Sequence, residues 1–172
     1  ALQSIVSRNA DPLDSLVVSV TAVKAGEAFN VIPQTAEIKG TVRTLSPQMR
    51  DIAEKRFREI VAGTAQAFGL TATIDYERGY PVTFNHAGQT DSVTSATRTV
   101  FGKDAIDTEI PPTMGSEDFS FMLEERPGAY IMMGNGDSAG LHHPAYEFND
   151  AAIPVGVTYW ASLVEIAMPQ HA

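Results

Sequence analysis

Two adjacent histidines are the residues of this sequence whose type and setting come closest to metal chemistry. His142 and His143 follow Leu141 and precede Pro144, on what the surrounding pattern predicts to be a loop just before a helix. A neutral imidazole is the commonest metal ligand, and functional residues gather on loops that a rigid scaffold positions. A metal site needs three or four ligands, however, and the sequence has no second cluster of His, Cys or spaced carboxylates. The pair therefore fits a metal ligand and, equally, two solvated histidines on a surface loop.

Other polar positions also allow two interpretations. Ser116 precedes the acids Glu117 and Asp118 at a predicted helix start, where the helix dipole favours negative charge without any function. Asn30 is a turn residue ahead of a predicted strand, and Arg43 falls on the polar side of that strand. Each could bind a ligand, and each also has a simple structural explanation.

The first half of the chain contains the elements of one sheet with helices on it. Ser46 is suited to cap a helix, and Pro47 suits its first position. The predicted order is helix, strand, strand, helix, strand, which becomes a ferredoxin-like sandwich once one strand is added in front. No capping residue precedes the first helix, so the sequence predicts a chain that begins partway through this fold. The elements are a helix at residues 2–6, strands at 16–23 and 36–43, a helix from Pro47 to Gly69, and a strand at 70–76.

The second half mixes helices with short strands and begins near residue 85. The mixture suggests one edge of an α/β layer whose other strands are absent from this chain. The predicted elements are a helix at residues 89–101 ended by Gly102, a strand at 105–110, a helix at 117–125 capped by Ser116, a strand at 129–133, a glycine-rich loop at 134–140, and a final helix with Ile153, Val157, Trp160, Ala161, Val164 and Met168 on one face.

Composition narrows the class of protein. Of the 172 residues, 44% are apolar and 19% are charged, which is typical of a globular protein. A net charge of -9 with scattered Lys and Arg argues against a nucleic-acid partner. There is no cysteine, no apolar run long enough to cross a membrane and no signal-peptide pattern, so we expect a cytoplasmic protein without disulfides.

Several short motifs, taken together, resemble a family of di-metal amidohydrolases. The family includes hippurate hydrolase, N-acyl-amino-acid amidohydrolases and plant auxin-conjugate hydrolases, and the motifs occur in its order over nearly the whole chain. They are Leu2-Gln-Ser-Ile-Val-Ser-Arg8, Asp11-Pro-Leu-Asp14, Asn30-Val-Ile-Pro33, Gly40-Thr-Val-Arg43, Gly79-Tyr-Pro81, Gly115-Ser-Glu-Asp-Phe119 and Leu141-His-His-Pro144.

The resemblance implies two incomplete domains and a role for four residues. Residues 1–84 would be a ferredoxin-like lid, or dimerisation domain, that lacks its first strand, and residues 85–172 the C-terminal part of an α/β metal-binding catalytic domain. By motif match, His142 is the one metal ligand in this chain. Asn30 and Arg43 match substrate-binding residues of the lid, and Glu117 matches an acid near the metals with a supporting or structural role.

The resemblance also implies a reaction that this chain would not complete. Two divalent ions, zinc or manganese with cobalt and nickel as alternatives, would polarise the amide of an N-acyl amino acid and activate a water that a glutamate deprotonates. The remaining ligands and that general base would lie upstream, so we expect the isolated segment to be inactive and the whole enzyme to be a homodimer. The alternative is a non-catalytic module that uses a ferredoxin-like sheet to bind a small molecule or to dimerise.

Overall fold

A computed structural model of the chain describes residues 1–169 and shows a mixed α/β chain that divides into two compact units, with both strands in the first. Unit 1 comprises Ala1–Val82 and Pro112–Glu117, and unit 2 comprises Thr83–Pro111 and the chain from Asp118 onward. Among the described residues, no helix combines the length and the apolar character that crossing a membrane requires.

Unit 1 is built on a hairpin of two antiparallel strands. Its elements are α1 (Ser4–Arg8), β1 (Leu16–Ala25), β2 (Ala36–Thr44) and α2 (Pro47–Ala67). Val18 pairs with Val42, and an irregularity between Val20 and Ala22 shifts the register farther along the hairpin. Gly40 lies where a Cβ would stand 2.2 Å from the Ser19 carbonyl oxygen, so a larger residue there would collide with β1.

The core of unit 1 lies between this hairpin and the two helices, as the apolar pattern predicts. Ser46 caps α2 by accepting a hydrogen bond from the Met49 N–H at 3.1 Å, and it donates to the Asp14 carboxylate at 2.5 Å. Gly69 follows the helix with φ +68°, a conformation that glycine adopts without strain. The buried core residues are Ile5, Leu16, Val18, Met49 and Ala53.

The strand predicted at residues 70–76 is not formed, and the predicted alternation of side chains appears only in its second half, since Leu70 and Ala72 are exposed. Ile74 and Tyr76 are half-buried while their neighbours are exposed, and the Tyr76 ring lies 5.5 Å from that of Phe57. The sheet of the described residues consists of β1 and β2, and residues 70–76 form no ladder with either strand. Side chains hold it on α2 instead: Arg50 donates to the Gly79 carbonyl at 2.6 Å, and Arg78 pairs with acids of α2.

Unit 2 consists of helices joined by irregular segments. Its elements are α3 (Ala87–Phe101), a 3-10 helix (Lys103–Ala105), α4 (Phe119–Glu125) and α5 (Ala152–Ala167). Gly102 ends α3 with φ +93°, as predicted. The buried apolar residues of unit 2 are Val93, Ala96, Leu123, Ala152 and Tyr159.

Three local predictions for the second half of the chain are wrong. Ser116 does not cap α4, which begins at Phe119 with Asp118 at the cap position and no side-chain cap bond. The strands predicted at residues 105–110 and 129–133 are also not formed. In the segment at 129–133, the side-chain amide of Asn85 pairs with the backbone of Tyr130 where a neighbouring strand was expected. The Tyr130 N–H donates to Asn85 Oδ1 at 2.7 Å, and Asn85 Nδ2 donates to the Tyr130 carbonyl at 2.8 Å.

Candidate functional site

The loop before α5 places His142 in an unusual backbone conformation. His142 has φ +67° and is the one non-glycine residue with positive φ in the part of the chain that the structure describes. Such a conformation is uncommon outside glycine and occurs preferentially at functional sites. The residue is exposed, and its ring makes no hydrogen bond to the residues described. An exposed imidazole without a protein partner is a suitable metal ligand.

The neighbouring histidine differs in that its ring takes part in the turn. Nδ1 of His143 accepts a hydrogen bond from the Ala145 N–H at 3.0 Å. Its backbone N–H also donates to the Gly140 carbonyl at 3.1 Å, and its carbonyl accepts from the Tyr146 N–H at 2.9 Å. Three local hydrogen bonds therefore give His143 a structural role that His142 lacks.

His142 would be a single ligand rather than a complete metal site. Within residues 1–169, no group of three or more His, Cys, Asp or Glu side chains is arranged to hold a metal ion. The donor chemistry of His142 fits one position of a metal site, and three or four ligands are needed in all. The other ligands would have to come from outside the described residues.

Arg43 is exposed at the end of the hairpin that lies next to α1 and α2. It pairs with Val17 in the sheet, on the face opposite the core residues Val18 and Val42, as the alternation predicts. Its Nη1 donates to the Met114 carbonyl at 2.5 Å and to the Ser116 hydroxyl at 3.4 Å. Nε and Nη2 make no hydrogen bond to the described residues, so part of the guanidinium remains available to a bound anion.

Asn30 lies at the opposite end of the same hairpin. It stands in the connection between β1 and β2, where every residue from 26 to 35 is exposed, so this connection does not fold back onto the sheet. Arg43 is seven residue steps from Ala36 at that end of β2, a distance of about 23 Å for an extended strand. A small molecule bound to one chain would therefore contact Asn30 or Arg43 but not both.

Glu117 precedes α4 in an irregular segment and is half-buried. It is two residues beyond Gly115, whose two neighbours, Met114 and Ser116, accept hydrogen bonds from Arg43. Sequence reasoning missed this contact because Arg43 and Met114 are 71 positions apart and no local pattern relates them.

Comparison with known proteins identifies the class of protein to which these features belong. The profile of peptidase family M20/M25/M40 matches residues 5–166, and the chain therefore belongs to this family. This confirms the resemblance drawn from the motifs.

Individual relatives and a solved structure agree with that assignment. The chain is 39% identical to hippurate hydrolase of Campylobacter jejuni over 163 residues, which are 95% of the chain and 43% of that protein. It is 34% identical to N-acetylcysteine deacetylase of Bacillus subtilis over 167 residues, 97% of the chain and 43% of that enzyme. A dinuclear metal-binding peptidase of the M20 family from Bacillus subtilis superposes with a TM-score of 0.78 at 30% identity, covering 99% of this chain and 44% of the other. The chain thus spans less than half the length of the relatives it matches.

Proposed function

We propose that this chain is the C-terminal part of a metal-dependent hydrolase that cleaves the amide bond of N-acyl amino acids. In that reaction water adds across the amide and releases a carboxylate and an amine. The observation that carries the proposal is the conformation of His142, an exposed residue whose backbone is left-handed. It supports this function because the chain is related to hippurate hydrolase and to N-acetylcysteine deacetylase.

We assign residues 1–84 to a ferredoxin-like lid that lacks its first strand and residues 85–172 to the C-terminal part of the catalytic domain. The hairpin covered by α1 and α2 supports the first assignment, since one further strand and a paired segment at residues 70–76 would complete a four-stranded sheet. The position of His142 just before α5 supports the second.

The residues of this chain would bind and orient rather than move protons. His142 would be one ligand of a two-metal site, zinc or manganese, and the general base would lie outside this chain. When bound, the two ions supply electrophilic stabilisation of the scissile carbonyl and acidify a water. Glu117 would support the site without binding a metal.

Arg43 would recognise the substrate carboxylate. A guanidinium can donate two parallel hydrogen bonds to a carboxylate, and the contact with the Met114 carbonyl would hold it in a fixed orientation with Nε and Nη2 exposed. A fixed guanidinium loses less conformational entropy on binding than a mobile one, which favours this geometry for a specificity residue.

A homodimer would reconcile the positions of Asn30 and Arg43. The two residues lie at opposite ends of one hairpin, so both could contact one small substrate if Asn30 came from the lid of a second copy. Sedimentation of the full-length protein at micromolar concentration tests this, because a stable monomer that still hydrolyses its substrate would contradict it.

The proposed reaction is tested directly with the full-length enzyme. N-benzoylglycine and a set of N-acetyl amino acids are incubated with the enzyme as purified, after chelation, and after zinc or manganese is restored. We expect hydrolysis that chelation abolishes and a divalent ion restores. A metal-loaded protein that binds these compounds without cleaving them would overturn the proposal in favour of a non-catalytic binding module.

A further inference from the structure

The glycine-rich loop ahead of His142 contains an asparagine that links its two ends. We propose that Asn135 is a positioning residue for His142, because its side chain closes the loop of residues 135–149 and so holds the imidazole in place. This inference rests on the proposed function, in which His142 binds a metal ion.

The amide of Asn135 uses both its donor and its acceptor atoms. Nδ2 donates to the Glu147 carbonyl at 2.8 Å and to the Ser138 hydroxyl at 3.1 Å, and Oδ1 accepts from the Asn149 N–H at 2.8 Å. Glu147 and Asn149 are 12 and 14 positions farther along the chain. One side chain therefore bridges the two ends of the loop, with His142 between them.

The far end of this loop is itself attached to α5. The Asn149 carbonyl accepts a hydrogen bond from the Ala152 N–H at 2.9 Å, and its Oδ1 accepts from the Ala151 N–H at 3.0 Å. Asn135 thus connects the loop to the first turn of a 16-residue helix. A loop fixed to a helix holds a ligand more accurately than one anchored only at its chain ends.

His142 needs such support because of its backbone. A left-handed conformation is unfavourable for a residue with a side chain and persists where the surrounding structure imposes it. If the bridge were removed, the loop could relax and His142 could return to an ordinary conformation that points the imidazole elsewhere. Groups that orient a metal ligand typically change metal affinity by roughly 10- to 100-fold when they are removed.

Asn85 provides a matched control in the same unit. Its amide also bonds a distant backbone, with Nδ2 donating to the Tyr130 carbonyl at 2.8 Å and Oδ1 accepting from the Tyr130 N–H at 2.7 Å. It lies outside the loop that contains His142. If Asn135 were only a general stabiliser of the fold, the two alanine variants would behave alike.

The experiment compares Asn135→Ala, Asn135→Asp, Asn85→Ala and His142→Ala in the full-length enzyme. Metal dissociation constants are measured by competition with a chelator, and the Tm of each protein is measured after metal removal. We expect Asn135→Ala to weaken metal binding by roughly 10- to 100-fold, with Asn135→Asp intermediate because its carboxylate keeps the acceptor for the Asn149 N–H but loses both donors. Asn85→Ala should lower the Tm of the metal-free protein about as much as Asn135→Ala does, because each removes two or more hydrogen bonds to the backbone or to a neighbouring side chain. It should leave metal affinity within about twofold of the parent.

The outcomes separate this inference from the proposed function. Equal metal affinities in Asn135→Ala and Asn85→Ala, with a large loss in His142→Ala, would overturn the role of Asn135 and leave the ligand assignment intact. Unchanged metal affinity in His142→Ala would overturn the ligand assignment and the inference with it. If Asn135→Ala does not fold, Asn135→Asp decides, because parent-like affinity in that variant contradicts the need for the donated hydrogen bonds.

Discussion

Helix α5 of unit 2 and the helices of unit 1 differ in how completely their apolar side chains are covered. In unit 1, Ile5 and Ala53 are fully buried between the helices and the hairpin. In unit 2, Val157 and Trp160 of α5 are 63% and 62% exposed. α2 has charged residues along its outer face, whereas α5 has a single charged residue, Glu165, in its whole length. A helix that is apolar on nearly every side is typical of a buried position, so α5 has the sequence of a core helix without the surroundings of one.

The comparison extends to the candidate site. Unit 1 carries Arg43, which a backbone carbonyl already orients, and unit 2 carries His142, whose ring has no partner among the described residues. We propose that unit 1 recognises the substrate and that unit 2 contributes to the metal site. Two variants, each with a control, test this division, and further variants test the packing of each unit.

Loss of the metal ligand should have the largest effect. His142→Ala in the full-length enzyme should lower metal content and reduce kcat/KM by about 1,000-fold or more, because metal assistance contributes several kcal/mol to transition-state stabilisation. His143→Ala is the control, since its Nδ1 serves a turn, and should change kcat/KM by less than about tenfold. Metal analysis of the purified variants checks the cause. Parent-like metal content in His142→Ala would refute the assignment.

Removal of the carboxylate-binding residue should have the next largest effect. Arg43→Ala should cost about 2–4 kcal/mol of transition-state binding, or roughly 30- to 1,000-fold in kcat/KM for an N-acyl amino acid. The parent should strongly prefer the acid over its carboxamide analogue, and the variant should lose most of that preference. Lys39→Ala on the same strand, whose cation pairs with Glu37 at 3.3 Å, is the matched control. Equal discrimination by the parent and Arg43→Ala would make Arg43 a surface charge.

A pair of substitutions, one at a buried and one at an exposed apolar residue, tests the difference in coverage. In the isolated chain, Ile5→Val should cost about 0.5–1.5 kcal/mol of local stability, because it removes a methylene from a packed core. Val157→Ala should stay within about 0.5 kcal/mol, since its side chain is mostly exposed. Hydrogen exchange measured by mass spectrometry reports the two units separately.

The same pair becomes more informative in the full-length protein. A cost of about 1 kcal/mol or more for Val157→Ala there would mean that α5 is covered by other residues of the enzyme. Equal costs for Ile5→Val and Val157→Ala in the isolated chain would contradict the comparison of the two units.

The smallest expected effect concerns the ion pairs that hold residues 70–79 on α2. Hydrogen bonds from Arg78 and then Arg58 hold the pKa of Glu54 below its ordinary value of 4.5. Because the folded-state pKa is the lower one, the stabilisation is present above about pH 4.5 and is lost as the pH falls through the folded value.

Glu54→Gln should therefore lower Tm by about 1–3 °C at pH 7, since partly exposed ion pairs contribute little. The difference from the parent should shrink as the pH falls below 4.5. Glu27→Gln, in the exposed connection between the strands, is the control and should not change Tm at either pH. A Glu54→Gln difference that is unchanged at pH 3 would show that the ion pairs are not its cause.

The sequence by itself determined the elements whose stability depends on near neighbours. The cap at Ser46, the end of α2 at Gly69 and the end of α3 at Gly102 all depend on residues a few positions apart, and each was predicted. The family also followed from the sequence, because seven short motifs in a fixed order are specific together. The alternation at residues 70–76 predicted correctly that Ile74 and Tyr76 lie on one, partly buried side, but Leu70 and Ala72 of the same pattern are exposed.

Only the tertiary structure decided which backbone groups are paired and which side chains meet. A strand exists only where its backbone pairs with a neighbour, and residues 70–76 pair with neither β1 nor β2. At Tyr130, the backbone is paired by the side chain of Asn85 and not by a strand. Arg43 forms a hydrogen bond with Met114, which is 71 positions away in the sequence, and Asn135 forms one with Asn149, which is 14 positions away. The difference between His142 and His143 also depends on the tertiary structure, because the two side chains are identical and adjacent in the sequence. The turn gives His142 a positive φ, and it places the ring of His143 in a hydrogen bond with the Ala145 N–H.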